Sequence, residues 1–385
     1  GGAVAGWDVS WTALWAGRQE GRGHNASPSL MKRQPTMDRS PFSSAFTSRT
    51  AQVRRALAGV GWAWLLLSVV LAWLDREERW IDAGREGVVL LKLWIFWAVW
   101  AVIPWCGAAL LCLRQPAGRS MLRLAWLGAL ALVGYSGLVE PRLLTVREHR
   151  LHLQTPAKLP PLRLALVADV HAGLFVRGWQ IERLVDRLNA LDVDAVVVAG
   201  DWTYDPPRDL HALLQPFSRL RHPVWGVLGN HDTGAPGPPL AQALRQALQD
   251  HGVQVLDGRR LQFQGWDVMG LSDLWGGEPR GEMARLLPPG TPTAPRLVLA
   301  HQPDTAALLP AGSASLVVSG HTHGGQIMLP WVTRQLVLPG MSAQGWFEGL
   351  YTTQAGPLFV TGGIGTIGLP ARLAVVPRID VLRLE

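Results

Sequence analysis

The sequence predicts an α/β domain that follows a strongly apolar region. Long apolar runs fill much of residues 51–145, and from about residue 160 short apolar runs alternate with helix-like stretches. The chain has 385 residues, of which 48% are hydrophobic and 19 are tryptophan, and its mean hydropathy is +0.13. This length exceeds one small domain, and this composition fits a chain that contains a membrane part. We therefore divide it into residues 1–50, 51–145 and 160–385.

Two apolar runs are candidates for membrane-spanning helices. Residues 56–74 form an uncharged run of 19, and residues 87–113 are apolar apart from Lys92, which lies close enough to the end to reach the interface. About 20 apolar residues cross the hydrocarbon core of a bilayer, so both runs are long enough. A shorter run at 124–139 is a third candidate. The alternative for each run, a buried helix of a soluble domain, is most plausible for the third.

The basic residues around these runs do not decide their orientation. Three arginines lie in each of the four flanking segments, so the positive-inside rule favours neither side. The formal net charge of +7 and the pI of about 10.2 indicate attraction to anionic lipid headgroups or phosphate-bearing substrates. Because no platform of interleaved basic and aromatic residues is present, we expect no nucleic-acid partner.

Residues 1–50 and the cysteines carry little functional information. Residues 1–50 are rich in Ser, Arg and Gly, lack periodicity and do not begin with Met, whereas Met31 and Met37 lie inside them. We expect a disordered segment or one upstream of the true start. Cys106 and Cys112 both fall in the second apolar run, so we expect neither a disulfide framework nor a thiolate zinc site.

The second part of the chain predicts buried strands. Six short apolar runs each end in polar residues, at 162–171, 195–201, 224–232, 266–273, 296–304 and 316–325. Helix-like stretches at 180–191 and 240–250 lie between some of them. Continuous apolar strands that alternate with helices predict an α/β core with sheets buried on both faces. In such folds ligands bind beyond the carboxyl ends of the strands.

Polar side chains stand at five of these strand ends. They are Asp169, His171, Asp201, Asn230, His231, His301, His321 and His323. A lone Asp or His at such a place is more often a cap or a turn former, but the set converges on one sheet edge and can bind two divalent cations. Imidazole and carboxylate ligands favour Mn, Fe or Zn over Ca. In "SGHTHGGQ", the alternation of a strand predicts that His321 and His323 point the same way.

The ordered motifs "DVH", "GDW", "GNHD", "AHQPD" and "GHTH" resemble the calcineurin-like metallophosphoesterase superfamily. The resemblance covers roughly residues 160–385 and implies a two-sheet αββα sandwich. "GHTHGGQ" and the ending "LFVTGGIGTIGLPARLAVVPRIDVLRL" narrow it to the membrane-associated bacterial branch with the YkuE-like and YaeI-like phosphoesterases. That branch usually has Pro-Glu-Ile near its end, whereas "PRID" places Arg378 in the acidic position.

The resemblance also implies a role for each motif residue. Asp169, His171 and His323 would hold a first divalent metal ion, Asp201 would bridge, and Asn230, His301 and His321 would hold a second. His231 would face the leaving-group oxygen, and Asp232 would orient its ring. Mn is the favoured metal, with Fe or Zn as alternatives. Two such ions would activate a water molecule for in-line attack on phosphorus and would neutralise the negative charge of the phosphoryl oxygens.

Because an enzyme tethered by membrane spans works at a bilayer surface, we expect its substrate to be a phosphodiester or pyrophosphate of a lipid or lipid-linked nucleotide, at a bacterial plasma membrane. One candidate is UDP-2,3-diacylglucosamine, cleaved to lipid X and UMP in lipid A synthesis, which requires a cytoplasmic catalytic domain. Aromatic side chains near the motifs would meet acyl chains, or else pack on the domain: Phe175, Trp179, Trp346 and Phe347. The alternatives are a general phospholipid phosphodiesterase, a phosphoprotein phosphatase, and a membrane sensor or scaffold with a degenerate domain.

Overall fold

The structure is a computed structural model. It describes residues 41–76, 79–81, 84–113, 120–154, 159–234, 237–287, 294–329 and 331–385. Residues 1–40, most of the segment expected to be disordered, lie outside this range, and that expectation stays a prediction for them. For residues 41–50 the alternative of disorder is wrong, because the first helix already begins at Pro41.

The apolar region is helical. Its helices are α1 (Pro41–Arg76), α2 (Glu86–Ala98), α3 (Val102–Leu113) and α4 (Ser120–Gly134). A 3₁₀ turn at Val99–Ala101 continues α2 into α3, and a π turn at Tyr135–Val139 continues α4. Three segments are long and apolar enough to cross a membrane: Ser48–Arg76, Glu86–Leu113 and Met121–Arg142. All three candidates from the sequence are therefore present as helices, and the third is longer than predicted.

Apolar side chains cover the outside of these helices. Trp62, Leu66 and Met121 are 63%, 74% and 84% exposed. A surface of this kind suits hydrocarbon rather than water, so the three helices indicate membrane association. Between the helices, the Trp64 indole donates a hydrogen bond to the Trp97 carbonyl over 2.8 Å. This bond satisfies a polar group within two apolar helices, where an unpaired N–H would be costly.

The rest of the described chain forms two six-stranded sheets. Their strands are β1 (Thr145–Leu151), β2 (Leu162–Val167), β4 (Ala195–Ala199), β6 (Val224–Val227), β7 (Val253–Val255), β8 (Arg259–Phe263), β9 (Trp266–Gly270), β10 (Arg296–Leu299), β11 (Leu316–Ser319), β12 (Gly349–Thr352), β13 (Pro357–Val360) and β14 (Arg378–Leu384). The orders are β1-β14-β2-β4-β6-β7 and β12-β13-β11-β10-β9-β8. A small pair, β3 (Ala172–Gly173) with β5 (Thr203–Tyr204), lies apart from both.

The two sheets pack face to face between helices. The helices of this part are α5 (Gly178–Asn189), α6 (Leu210–Leu214), α7 (Asn230–Thr233), α8 (Ala241–Asp250) and α9 (Pro279–Leu286). Along β2, Leu164 and Leu166 face the core between the sheets, whereas Ala165 and Val167 face the core beneath α5 and α8. Alternate residues of each strand thus enter different apolar layers. A third core lies between the second sheet and α9. The predicted αββα sandwich is confirmed, and each predicted apolar run contains a strand.

The strand ends that carry the polar motifs belong to both sheets. Within the first sheet β2, β4 and β6 run parallel, and within the second β9, β10, β11 and β13 run parallel. The expectation of one sheet edge is therefore corrected: the edges of two sheets meet. His301 follows β10 in the second sheet, yet its Nδ1 lies 2.8 Å from the carbonyl oxygen of Ala199 in the first.

Candidate metal centre

Five of the candidate ligands leave their strands with a left-handed backbone. Asp169, His171, Asp201, His321 and His323 have φ values of 52°, 49°, 53°, 72° and 52°. A residue with a Cβ rarely adopts this conformation, and each instance costs roughly 1–3 kcal/mol. Such strain persists where the surroundings fix it, and it clusters at functional sites. The turns direct the five side chains into one buried space beyond the two sheets.

This backbone also corrects the prediction for "SGHTHGG". β11 ends at Ser319, so His321 and His323 lie in the loop after the strand rather than on it. The alternation of strand faces does not apply there. The two imidazoles instead enter two neighbouring groups of ligand atoms, one with Asp169 and His171 and the other with Asp201 and His301.

Glycine allows the carboxylates to lie against the neighbouring backbone. A Cβ added at Gly229 would lie 2.1 Å from Oδ1 of Asp201, and one at Gly320 would lie 2.7 Å from Oδ2 of Asp169. Both distances are too short for non-bonded atoms, so a side chain at either position would displace a carboxylate. These two glycines are part of the site because they leave space for its acids.

The first group of ligand atoms comes from Asp169, His171 and His323. The rings of His171 and His323 stack with an angle of 10° between their planes, and their Nε2 atoms are 3.0 Å apart. Oδ1 of Asp169 lies 3.7 Å from Nε2 of His323. All three residues are buried. Two ring nitrogens and a carboxylate that converge away from water suit a divalent cation of the Mn, Fe or Zn type.

The second group comes from Asn230, His301 and His321. Oδ1 of Asn230 lies 3.0 Å from both Nε2 of His301 and Nδ1 of His321. The two ring nitrogens are 3.2 Å apart. Because Nδ1 of His301 faces the Ala199 carbonyl, a hydrogen bond there would leave the Nε2 lone pair directed at the group, which is how a metal-binding histidine is usually held.

Asp201 lies between the two groups. Its Oδ2 is 3.2 Å from Nε2 of His301 and 3.5 Å from Nε2 of His171. Its Oδ1 accepts a hydrogen bond from the backbone N–H of His231 over 3.0 Å. One carboxylate thus touches a ligand of each group.

Burial and charge set unusual pKa values here. Burial lowers the pKa of His171 and of His321 to about 3, and it raises the pKa of Asp169 to about 7. Burial opposes the charged form of His301, but the neighbouring Asp201 carboxylate raises its pKa to about 10. Burial likewise opposes ionisation of Asp201, yet the nearby histidines hold its pKa well below its usual value. At neutral pH His171 and His321 are therefore neutral, as metal ligands must be, whereas the proton that His301 holds beside Asp201 would be displaced by a bound cation.

His231 lies beside the ligands with its ring partly unengaged. The ring centroid is 5.2 Å from that of His171 and 5.1 Å from that of Tyr204. Its Nδ1 is buried and has no hydrogen-bond partner among the described residues, and burial lowers its pKa. An uncommitted ring nitrogen next to both ligand groups can donate to, or accept from, a substrate atom.

The expected orienting role of Asp232 is wrong. Its carboxylate accepts hydrogen bonds from the backbone N–H groups of Trp202, Thr203 and Gly229, and from the Thr203 hydroxyl, over 2.8 to 3.0 Å. These bonds fasten the loop after β4 to the loop after β6. Asp232 positions the backbone that carries Asp201 and Asn230, and it makes no hydrogen bond with the His231 ring.

Sequence reasoning missed two residues of the site. Tyr204 places its ring edge-on against His171, with centroids 5.4 Å apart, as well as against His231. Arg372 is fully buried, donates to the carbonyls of Gly362, Gly365 and Val375, and brings Nη2 within 3.4 Å of Nδ1 of His323. Neither has a metal-ligand side chain. The one signal available in the sequence was the lone charge of Arg372 within the apolar stretch "GLPARLAVV". Arginine is rarely buried unless it has partners, so a charge in such a stretch indicates a specific contact.

Arg378, which departs from the acid usual in the branch, is accommodated by two acids. It is 2.5 Å from Glu348 and 3.0 Å from Asp380. Glu348 also lies against Gly324, the residue after His323, because a Cβ there would meet its carboxylate at 2.2 Å. A negative side chain therefore does stand near the ligand loop, and Arg378 is neutralised by it.

The four aromatic residues expected to meet acyl chains do not form one surface. Phe175 is buried and stacks on Phe96 of α2 with ring centroids 5.9 Å apart, which supports the packing alternative. Trp179 is 49% exposed. Trp346 packs on the core of the second sheet, and Phe347 is partly buried.

Residues 162–325 match the family model described as calcineurin-like phosphoesterase. With the ligand groups above, this match defines the class: the chain is a metal-dependent phosphoesterase hydrolase with three apolar helices before its catalytic domain. It carries a domain of the calcineurin-like metallophosphoesterase family, as its motifs indicated.

Relatives with this domain occur in bacteria and in animals. The chain is 27% identical over 266 residues to the uncharacterized metallophosphoesterase YkuE of Bacillus subtilis, covering 66% of this chain and 89% of the relative. It is 26% identical over 259 residues to the phosphodiesterase YaeI of Escherichia coli, covering 65% and 92%. It is 30% identical over 236 residues to a transmembrane protein with metallophosphoesterase domain of Danio rerio, covering 57% of this chain and 52% of that relative.

Proposed function

We propose that this protein is a membrane-anchored phosphoesterase with two divalent metal ions, which hydrolyses a phosphodiester or pyrophosphate of a lipid-linked substrate. Asp169, His171 and His323 would hold one ion, Asn230, His301 and His321 would hold the other, and Asp201, which lies near a ligand of each group, would contribute its negative charge to both. The residues fit this pair of ions because their acceptor atoms face one another within about 3 Å, where lone pairs repel unless a cation or a proton lies between them.

The bound ions would supply Lewis-acid charge for the transfer of a phosphoryl group to water. The other residues supply position and proton control. His231 presents its uncommitted Nδ1 beside both ligand groups, where it can hold a proton for the departing oxygen. Asp232 fixes the backbone on which Asp201 and Asn230 stand. Tyr204 covers one side of His171 and His231 and limits the access of water.

The observation that carries a lipid substrate is the nearness of the ligand groups to a membrane helix. Tyr204 touches His171 and His231 on one side, and Nζ of Lys92, which belongs to α2, lies 4.4 Å from the centre of its ring on the other. A single side chain therefore separates the candidate metal centre from a helix able to cross the bilayer. The phosphate of a membrane lipid therefore has only a short distance to travel from the membrane surface to the candidate metal centre.

The finer proposal for the reaction remains UDP-2,3-diacylglucosamine cleaved to lipid X and UMP, with Mn²⁺ as the metal. The net charge of +7 supports an anionic lipid, and a related protein carries the name phosphodiesterase. This substrate requires that the catalytic domain faces the cytoplasm of a bacterial cell. With three spans, the N-terminal side of the first helix would then lie outside.

The test is metal content together with a substrate panel. The purified protein, in detergent, should contain about two Mn, Fe or Zn ions per chain by elemental analysis. With Mn²⁺ it should hydrolyse bis(p-nitrophenyl) phosphate, and it should favour UDP-2,3-diacylglucosamine or a phospholipid over a phosphopeptide. Turnover of the phosphopeptide alone would identify a phosphoprotein phosphatase. Fewer than one ion per chain and no turnover would identify a sensor or scaffold.

The membrane side has a separate test. We expect a reporter that is active in the cytoplasm to be active when it is fused after Glu385, and alkaline phosphatase fused there to be inactive. The reverse result would exclude UDP-2,3-diacylglucosamine, which forms on the cytoplasmic side. An external phospholipid phosphodiesterase would then replace it, while the metal chemistry would stand.

A further inference from the structure

An apolar groove begins two residues beyond the ligand His323. It has a volume of about 370 Å³, within the roughly 300–1,000 Å³ typical of ligand pockets. Gly325, Gln326, Thr333 and Gly368 contribute to its lining, and its other side chains are apolar: Ile327, Leu329, Val332, Val337, Met341, Ile367 and Leu369. Nothing in the chemistry of the metal centre accounts for this groove.

The two walls of the groove are fastened to each other. The side-chain N–H₂ of Gln326, in the first wall, donates to the carbonyls of Ile367 and Leu369 in the second over 2.9 and 3.2 Å. The Ile367 N–H donates to the side-chain oxygen of Gln326 over 2.8 Å. The backbone of Gln326 is itself left-handed, with φ of 55°. These bonds fix the position of one wall relative to the other before a ligand binds, which lowers the entropic cost of binding.

The groove is linked to the metal centre through one residue. The backbone N–H of Gly368, in the second wall, donates to the hydroxyl of Tyr204 over 3.1 Å. The ring of the same tyrosine lies against His171 and His231. A molecule with its phosphate at the ligands can therefore place an apolar tail along Tyr204 and into the groove.

The groove is also continuous with the membrane helices. Ile367 packs on an apolar cluster that contains Ala72 of α1 and Leu93 of α2. The backbone N–H of Arg372, three residues beyond the groove residue Leu369, donates to the carbonyl of Ser136 in the turn that continues α4, over 2.9 Å. The groove wall thus stands directly against the helices that the bilayer surrounds.

The outer rim of the groove is unusually apolar for a surface in water. Trp331 and Leu336 are 76% and 77% exposed, and Val332 and Leu369 are 49% and 48% exposed. Arg334 and Gln335 are the exposed polar residues between them. A contiguous apolar rim with a basic residue suits the boundary between acyl chains and anionic headgroups.

We propose that this groove binds an acyl chain of the membrane lipid whose phosphate lies at the metal centre. The inference rests on the proposed function and deepens it, since it assigns a place to the lipid part of the substrate. The acyl chain is favoured over a peptide or a second copy of this chain because the groove joins the membrane helices and its side-chain lining is almost wholly apolar.

The experiment uses the full-length protein in nanodiscs that contain phosphatidylglycerol with a photoactivatable diazirine near the end of one acyl chain. After illumination and proteolysis, mass spectrometry should find label on peptides that cover 325–341 or 367–369. Val337→Trp and Leu369→Trp fill the groove from opposite walls. Each methylene of the acyl chain that the tryptophan excludes from the groove weakens lipid binding roughly fourfold. Exclusion of two or more methylenes should therefore lower the labelling by about tenfold or more.

Leu350→Trp is the matched control, because this leucine is 55% exposed, lies in β12 and belongs neither to the groove lining nor to its rim. It should label as the wild type does, and all three variants should hydrolyse soluble bis(p-nitrophenyl) phosphate at the wild-type rate. Label confined to the three apolar helices, or undiminished in both groove variants, would overturn the proposal. So would a concentration-dependent dimer that protects the groove, which would assign it to a second copy.

Failure of the proposed function gives a different result. A wild-type protein that hydrolyses no phosphodiester, yet labels in the groove and loses this label in Val337→Trp, would refute the catalytic proposal and support the groove as a lipid site.

Discussion

Two clusters of charged side chains lie close together, one partly buried and one almost fully buried, and they differ in how their polar atoms are paired. In the first, the junction between membrane helices and catalytic domain, every acid meets a base: Asp205 is 3.2 Å from Arg85 and 3.3 Å from Lys92, and Asp75 is 2.6 Å from both Arg79 and Arg177. In the second, the candidate metal centre, acceptor atoms face acceptor atoms.

The difference separates a structural cluster from a chemical one. At the junction each acid has two basic partners, so neither acid needs a further group to balance its charge, and the pairs can stabilise the attachment of the helices. At the metal centre Asn230, His301 and His321 bring three acceptors within 3.0 to 3.2 Å of one another. Such an arrangement becomes favourable when a cation lies among the acceptors. Acceptors placed together in this way therefore indicate a cation site, whereas paired charges indicate a structural contact.

Asp201→Asn should break the metal centre most severely. The substitution keeps the shape of the side chain but removes the charge that touches both ligand groups. We expect loss of metal and a fall in turnover at least as large as the roughly 10⁴-fold upper range for loss of a general acid. Elemental analysis and hydrolysis of bis(p-nitrophenyl) phosphate measure the two effects. Wild-type turnover in this variant would refute the bridging role.

His231→Ala should separate catalysis from metal binding. The ring lies beside the ligands without belonging to either group. Both metal ions should remain, while kcat should fall by roughly 10²- to 10⁴-fold because the proton donor for the leaving group is lost. Substrates with a strongly acidic leaving group need that proton less, so the fall in kcat should be smaller for them. If the variant loses metal together with activity, His231 is a ligand.

Removal of metal by a chelator should lower the free energy of unfolding of the catalytic domain. The ligands come from both sheets, so ions bound among them hold the two sheets together. At a free metal concentration of about 1,000 times Kd, binding adds roughly 4 kcal/mol to the free energy of unfolding. EDTA should therefore lower the Tm of the wild type measured in detergent. Asp201→Asn serves as the control, since its Tm should change little with EDTA.

Asp205→Ala should affect the junction and spare the metal centre. Removal of this buried acid leaves Lys92 and Arg85 without the carboxylate that both contact. We expect a loss of about 3 kcal/mol in the free energy of unfolding, with two metal ions retained. Asp192→Ala, which removes the 95% exposed partner of Arg163, is the matched control and should leave Tm unchanged. Metal loss in Asp205→Ala would show that the two clusters are not independent.

The secondary structure and most of the ligand set followed from local sequence. The apolar runs at 56–74 and 87–113 are helices because their length and composition suit few other structures. The runs that begin at 162, 195 and 316 form strands, as predicted, since a strand buried on both faces has a short, continuous apolar sequence. His301, His321 and Asp201 were identified because imidazoles and carboxylates at several strand ends are rare without a ligand.

The errors came from assuming that a local rule extends further than it does. Alternation along β11 stops at Ser319, so the left-handed turn beyond the strand, and not the strand itself, orients His321 and His323. Asp232 follows His231 in sequence, but the nearest N–H donors to its carboxylate belong to Trp202, Thr203 and Gly229. Adjacency in the chain did not give adjacency of hydrogen-bonding atoms.

By itself, the sequence determined which side chains can bind metal and which segments can enter a bilayer, since both depend on the chemistry of a few neighbouring residues. The tertiary structure alone decided that two sheets share the centre, that Tyr204 connects it to α2, and that Gln326 fastens a groove beside it. These features join residues far apart in the chain. Their geometry depends on the packing of whole layers, which no local pattern encodes.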